Sequence, residues 1–409
     1  MNRLRIVVFA GAPIFPVTGM HQVRIINQMK SLAQSHEVTF AFLCNKASSF
    51  RLTQQGLTPL GISVIPIKTF TQSFIFRILA KFILKRFFSK YAFSFDHFVY
   101  SNLLSSKKIA KTISKRNFDA VVSHYWEASG FLRYLNTNIL KCIDTHYLVE
   151  ENLQLLQSGH YSHLDSIHLS RVLRRECVLQ WKYFISADLL IVNSHKQTDI
   201  LSDLNCRIPN VCIPNGQDLT DYLMVPILEN PQKLNLLFYG SLSNQFNSKG
   251  LRRLLDSIYP MVTSINHNID LVVMGSSPPD WLLKRSRNDS RIKVTGFVEN
   301  PKLIFQTCFC CVLPLDSGSG FRGRTIELMA SGVPIVGTHN ALDSVGLING
   351  FNGIVSDDDE IIAKAIMRLA EDEAFRLKLA RNARSFVNSK FSLDKTHGRL
   401  SKYLSDRLS

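Results

Sequence analysis

The chain has 409 residues, 45% of them hydrophobic and 20% charged, which excludes a disordered polypeptide and is too long for one core of ordinary size. A formal net charge of +16 calls for an anionic partner, whether a phosphorylated substrate, a lipid headgroup or nucleic acid. No run approaches the ~18–20 apolar residues of a spanning helix, so a cytoplasmic chain, soluble or peripheral on the membrane, is expected.

The opening MNRLRIVVFAGAP has an apolar run short for a signal sequence and leads into a Pro/Gly loop, so it reads as a first strand. VRIINQMKSLAQS follows with helical spacing. HEVTFAFLC and GISVIPIK then read as strands. FDAVVSHYW, KCIDTHYL and ADLLIVNSH continue the series as short apolar strands that end in polar residues. Open α/β sheets bind ligands at the carboxyl ends of their strands. Residues 208–235 contain four prolines without a clean period and read as a linker. A second series follows: LNLLFYGSL, IDLVVMGSS, RIKVTGFV, CFCCVLPLD, VPIVGTH and GIVS, separated by helical patterns. The expected fold is α/β, with two Rossmann-like doubly wound domains facing a cleft. The expected bounds are 1–212 and 213–392, with a last helix 393–409 packing back on the first domain.

The eight cysteines include Cys308, Cys310 and Cys311 inside an apolar strand, without the paired spacing of a zinc site. They read as buried, reduced core residues. Ser356-Asp357-Asp358-Asp359-Glu360 contains a D-x-D, but a strong helical pattern follows, so an N-cap with acids in the first turn is expected rather than a metal site.

From Arg77 to Arg116 there are ten Lys/Arg against one acid, Asp96. The part SFIFRILAKFILKRFFSKY interleaves apolar and basic residues at helical spacing. Residues 74–116 therefore read as an anionic-membrane contact, the alternative being a core-packing helix with a solvated basic face.

The stretch SGSGFRGRTIELMASGVPIVGT, residues 317–338, sits between two apolar strands. Its glycines precede a helix expected to begin near Arg324, an arrangement that lets backbone N–H groups meet a phosphate. Arg322 and Arg324 add charge. Glu327, expected in the first turn, would be repelled by phosphate but can accept hydrogen bonds from a ribose diol. Phosphate beside hydroxyls means a nucleotide; the alternative is that Glu327 complements the helix dipole.

This stretch resembles the donor-site motif of the group 1, or family 4, glycosyltransferases of the GT-B fold, read as G-x-G-x-R-x-K-x-(L/I)-E-x-(M/F)-A-x-G-x-P-V-V. Further likenesses are the loop Pro13 to Arg24, ADLLIVNS, CIPNGQD, LLFYGSLSNQFNSKG and the tail from Thr338. The resemblance implies a retaining glycosyltransferase that moves a sugar from a nucleotide-diphospho-sugar to a glycan or lipid-linked acceptor in cell-surface polysaccharide biosynthesis. It implies no metal or other cofactor. Glu327 then takes the nucleotide ribose. Gly320, Phe321 and Arg322 meet the diphosphate, Lys249 binds phosphate, and Gly19 lies near the donor phosphates. His146 contacts the donor sugar, with His124 as second choice. His146, Lys249 and Arg324 are the candidate catalytic residues. Two positions depart from the pattern. Ser319 stands where the first glutamate of E-x7-E falls, and Ser241 where an arginine follows the glycine. Arg322 or Arg324 would supply that charge. A sugar-nucleotide 2-epimerase of the same fold and a catalytically silent nucleotide-sugar-binding subunit are the alternatives. Nucleic acid is not an expected partner, because no nucleic-acid motif accompanies the charge.

Overall fold

The computed structural model describes residues 3–17, 20–68, 95–157, 166–316 and 323–408. Two compact units divide the chain, residues 1–216 with 393–409, and residues 217–392.

The first unit is built on a seven-stranded sheet of order β3-β2-β1-β4-β5-β6-β7. Its strands are β1 (Arg5–Ala10), β2 (Glu37–Leu43), β3 (Ser63–Ile67), β4 (Ala120–His124), β5 (Leu140–Asp144), β6 (Leu189–Val192) and β7 (Asn210–Cys212). All pairings are parallel, and β1 is buried on both faces, which is why it reads as one continuous apolar run. Strand alternation sends Ile6 and Val8 to one face, against Ile25, Met29 and Leu32 of the helix Met20–Ala33 and Leu400 and Leu404 of the helix His397–Leu408. Val7 and Phe9 point to the other face. They pack there with Ile109 and Ile113 of the helix Phe95–Ser114, Phe131 of the 3-10 helix Trp126–Tyr134, and Leu173 and Phe184 of the helix Ser166–Phe184.

The second unit carries a six-stranded parallel sheet, β10-β9-β8-β11-β12-β13. Its strands are β8 (Leu234–Tyr239), β9 (Ile269–Met274), β10 (Ile292–Gly296), β11 (Cys308–Leu313), β12 (Ile335–Gly337) and β13 (Ile354–Val355). Cys308, Cys310 and Cys311 lie in β11, fully inside the core, and burial pushes the Cys308 thiol up to about 12. The acidic run is consumed by structure. Asp358 caps the helix Asp359–Glu371 by accepting from the backbone N–H groups of Glu360 and Ile361. Asp359 pairs with Arg253 at 2.7 Å, and Asp357 accepts from the His339 backbone N–H at 3.0 Å.

The region 208–235 differs from a plain linker. Asn210–Cys212 pairs in register with β6 as the edge strand β7, and Thr220–Leu223 forms a helical turn. Proline is tolerated beside an edge strand, where few ladder hydrogen bonds are required. Residues up to Gly216 stay with the first unit, so the break falls after 216 rather than after 212.

Residues 69–94, with most of the basic amphipathic stretch including Lys81, Lys85 and Arg86, lie outside the described residues. Among the described residues no helix is long and apolar enough to cross a membrane.

His397 is fully buried and neither ring nitrogen has a hydrogen-bond partner. Burial first, and then the nearby Arg24 charge, lower its pKa to about 3. The unfolded chain takes up a proton near pH 6.5 that the folded chain refuses until about 3, so this residue's contribution to stability is lost progressively as pH falls through that window. His397→Leu should therefore retain about 2 kcal/mol more stability than wild type on going from about pH 7.5 to about pH 5. Melting temperatures at the two pH values check this; parallel losses in both proteins would contradict it.

Candidate functional site

In the first unit, the parallel register of β4 and β5 sets His124 beside Asp144, the last residue of each strand. In-register residues of parallel strands point the same way, so the two side chains emerge together at the carboxyl edge. His146 follows two residues later, and its Nε2 lies 2.9 Å from His124 Nδ1. His146 adopts φ 59° and Tyr125 φ 67°, left-handed backbone that residues with a Cβ seldom take and that clusters at functional sites. The Tyr125 and His146 rings stack with centroids 3.9 Å apart. The Asn193 side chain donates to the His146 carbonyl at 2.6 Å, so ring and backbone are both held.

Asp144 is buried under these histidines and receives Arg24 from the helix Met20–Ala33. Arg24 Nε lies 3.1 Å from both carboxylate oxygens, and Arg24 Nη2 lies 2.9 Å from Asp144 Oδ2. Gln28 Nε2 adds a hydrogen bond of 2.9 Å to Asp144 Oδ2. Burial alone would raise the Asp144 carboxyl; the Arg24 guanidinium outweighs it and holds the group well below the usual carboxylate range. Burial lowers His124 to about 4 and His146 well below its ordinary value, so both rings are neutral near pH 7. Arg24 also donates through Nη1 to the Ile213 carbonyl and the Asn215 side chain, and Asn27 donates to the Gly216 carbonyl. The Pro-Asn-Gly segment is thereby tied to the helix that carries Arg24.

His124, Asp144 and His146 offer ligand atoms within 4.8 Å of one another, a spacing a metal ion could use. The donor set argues against one: both Asp144 oxygens already accept from a guanidinium, which supplies the positive charge a metal would bring. A second buried carboxyl lies nearby in sequence. Tyr147 donates to Glu127 at 2.5 Å, Glu127 Oε2 has no partner, and burial raises Glu127 to about 7.

In the second unit, the loops after β8 and β9 meet backbone to backbone. A Cβ on Gly275 would lie 1.8 Å from the Gly240 carbonyl oxygen, so only glycine allows the approach. Ser241 follows, its hydroxyl 2.9 Å from that of Ser243 and 3.0 Å from that of Ser276. Lys249 is exposed on the helix Gln245–Arg253. In the next position, a Cβ on Gly250 would meet Leu315 at 2.3 Å, so this helix lies tight against the segment after β11. Arg324 projects from the helix Gly323–Ala330 with its guanidinium 5.5 Å from the Tyr239 ring centre. A Cβ on Gly240 would stand 3.0 Å from Arg324 Nη1, so this charge lies beside the residue before Ser241.

Glu327 is the fifth residue of its helix and falls on the second turn, not the first as the sequence suggested. The helix begins one residue earlier than expected, and this carboxylate does not serve the N-terminal N–H groups. Tyr239 donates to Glu327 Oε2 at 3.5 Å. Burial, only partly offset by Arg324 and Tyr239, raises Glu327 to about 7.

The structure thus brings Glu327, Arg324 and Tyr239 together, with Ser241 and Lys249 on adjoining segments of the same unit. His124 and His146 meet in the other unit. Gly19, Ser319, Gly320, Phe321 and Arg322 lie outside the described residues. Sequence reasoning missed Arg24, Asp144, Glu127 and Tyr239. The signal for Asp144 was present, as a carboxylate closing an apolar strand. Arg24 had none, because its partner is 120 residues away.

Two doubly wound parallel sheets, each with polar residues gathered at strand ends, define the GT-B class. Solved structures agree on the fold across the chain. A sucrose-phosphate synthase from Thermosynechococcus elongatus superposes with TM-score 0.65 at 16% identity, covering 99% of both chains. Anabaena HepE, solved in complex with UDP and glucose, superposes with TM-score 0.63 at 15% identity, covering 98% of this chain and 100% of that one. Residues 233–372 match the family described as Glycosyl transferases group 1. A capsular polysaccharide biosynthesis glycosyltransferase of Staphylococcus aureus, CapM, is 23% identical over 55% of this chain and 66% of its own length. An uncharacterized glycosyltransferase of Methanocaldococcus jannaschii is 26% identical over 40% of this chain and 43% of its own. The matched stretches thus span from under half to just under two thirds of these relatives. The family match falls within the second unit, residues 217–392, and the fold match extends over the whole chain.

Proposed function

We propose that this protein transfers a sugar from a nucleotide-diphospho-sugar to a hydroxyl of a growing glycan or lipid-linked acceptor, with retention, in cell-surface polysaccharide biosynthesis. The observation that carries the reading is Glu327, a carboxylate held between Arg324 and Tyr239 in the segment that matches the family. A carboxylate beside a cation suits a ribose diol next to a diphosphate. CapM is named for capsular polysaccharide biosynthesis and HepE was solved with UDP and glucose, so UDP-hexoses are the donors to test first.

In this reading the bond from the anomeric carbon to phosphate breaks and negative charge passes to the departing diphosphate. Arg324 and Lys249 offset that charge, with Arg322 and the backbone N–H groups of Gly320 and Phe321. Ser241 offers the phosphate a hydroxyl, and Arg324, packed against Gly240, supplies the cation the family pattern carries at the serine's position. The acceptor oxygen bonds to the same face of the anomeric carbon, and its proton goes to the leaving phosphate oxygen. His146, backed by His124, contacts the donor sugar as a neutral ring. The resemblance assigns Gly19 to the donor phosphates and Ser319 to the transferred sugar.

Calorimetric titration tests the phosphate role. Arg324→Ala should lose about 10- to 100-fold in affinity for UDP, the worth of one or two charge-assisted hydrogen bonds, and little for uridine. Equal losses for both ligands would sink the assignment. The anomeric configuration of the product, read by NMR, tests retention.

A further inference from the structure

The helix Ser166–Phe184 leaves an unusual strip exposed. Ile167, Val178 and Ile185 are 67%, 71% and 77% exposed. The Ile185 backbone N–H donates to the Trp181 carbonyl, so the helical path continues to that residue. Four exposed cations, Arg171, Arg174, Arg175 and Lys182, share the helix. At about 100° per residue, the three aliphatic and four basic positions fall in one stripe about 100° wide and about 27 Å long. The helix has a single acid, Glu176, which is half-buried.

The strip continues sideways. The helix Phe95–Ser114, the 3-10 helix Trp126–Tyr134 and the helix Ser166–Phe184 cover the same face of the first sheet and share its core. Lys107 and Arg133 lie 5.9 and 4.7 Å from the ring centre of Tyr134, itself 40% exposed, which joins the first two elements. Lys108, Lys111, Lys115 and Arg116 extend the exposed positive surface. None of these cations takes part in an ion pair among the described residues. In the second unit, by contrast, Arg253, Arg285, Arg291 and Lys293 all have carboxylate partners. The nearest exposed acid beyond Ile185, Asp188, accepts from the Lys141 backbone N–H.

Unpaired cations interleaved with exposed aliphatic side chains, along a flat strip without acids, match the chemistry of an anionic lipid surface. The cations meet headgroup phosphates while the aliphatic groups enter the interfacial layer. A soluble polyanion would use the charge but would leave Val178 and Ile185 in water. We propose that this face of the first unit docks on a bilayer containing anionic phospholipid, with Val178 and Ile185 as its shallow anchors. The proposal draws on none of residues 74–94, and it stands whether or not the nucleotide reading holds.

The test is co-sedimentation of the full chain with vesicles of phosphatidylcholine alone, or with about one third phosphatidylglycerol as an anionic lipid. Wild type should bind the mixed vesicles and not the neutral ones. Arg171→Ser/Arg174→Ser/Arg175→Ser should bind about 100-fold more weakly, at a factor of about five for each cation. Val178→Asn/Ile185→Asn should bind about tenfold more weakly. Both variants replace exposed residues and should keep the wild-type melting temperature. Unchanged vesicle binding by both overturns the proposal. So does loss confined to Lys81→Ala/Lys85→Ala/Arg86→Ala, which would move docking to the earlier segment. Equal binding of wild type to neutral vesicles also overturns it. So does dextran sulfate binding that depends on the arginines while vesicle binding does not. Failure of wild type to bind UDP would reject the transferase reading alone.

Discussion

Glu327→Ala is expected to weaken binding of a nucleoside diphosphate by about 100-fold, through two lost hydrogen bonds of about 1.5 kcal/mol each between a carboxylate and a vicinal diol. The discriminating measurement compares UDP with its 2′-deoxy analogue. Wild type should prefer the ribose form, and Glu327→Ala should bind the two about equally. A variant that still prefers ribose would show that another group reads the diol. The pH dependence has a definite sign. Burial raises the Glu327 carboxyl to about 7 in the ligand-free protein, so only part of it is ionised at neutral pH. The diol needs the carboxylate as acceptor, so affinity should rise as pH climbs from about 6 to about 8 and should stay flat in Glu327→Gln. Stability without ligand runs the other way. The folded state holds this proton more tightly than the unfolded chain, so the contribution is present below about 4.5 and lost as pH rises through about 7. Ligand affinity and ligand-free stability therefore respond oppositely to pH at the same residue.

The largest effect on stability should come from separating Arg24 and Asp144. Both are almost fully buried, with side chains 2% and 0% exposed, and the Arg24 guanidinium meets both Asp144 oxygens. Removing one partner leaves a buried charge without compensation, at a cost of about 3–5 kcal/mol. Arg24→Met strands the carboxylate and Asp144→Leu strands the guanidinium. The double variant should recover much of the loss, because desolvation and attraction disappear together. Denaturant titration checks this. The two units need not unfold together, so the transition is followed through Trp126 and Trp181 of the first unit, with Trp281 silenced by substitution. If the single variants cost no more than an exposed pair, about 1 kcal/mol or less, the network is not a structural centre of the first unit. His146 should feel the change as well. It loses the carboxylate that opposes the lowering of its pKa, so Asp144→Leu should push its titration lower still, which NMR of the ring protons reads directly.

Much of this molecule is legible in local chemistry. β1, β2, β9 and β11 announce themselves because a parallel strand buried on both faces must be apolar at nearly every position. The cap at Asp358 is readable because a capping side chain bonds the N–H groups two and three residues ahead. Glu327 and Arg324 stand out because a glycine loop, a cation and a carboxylate occur within a few turns of chain. The edge strand Asn210–Cys212 was hidden. Three residues carry no period, and only the neighbouring β6 gives them a ladder to join.

What the sequence by itself determined is therefore the part governed by short-range rules: two strand-helix series, a glycine-rich segment with Arg324 and Glu327 behind it, and an excess of positive charge. What only the tertiary structure decided depends on pairing across long separations. Arg24 finds Asp144 because the helix Met20–Ala33 packs on a sheet in which β4 and β5 end side by side. Tyr239 meets Glu327 because β8 and β11 are neighbours in the second sheet although far apart in sequence. Parallel strands need crossover connections, so neighbours in the sheet are distant in the chain. The basic strip on Ser166–Phe184 is of the same kind. Its cations are ordinary in sequence, and only burial of the opposite helix face shows which side remains exposed with Val178 and Ile185 in water.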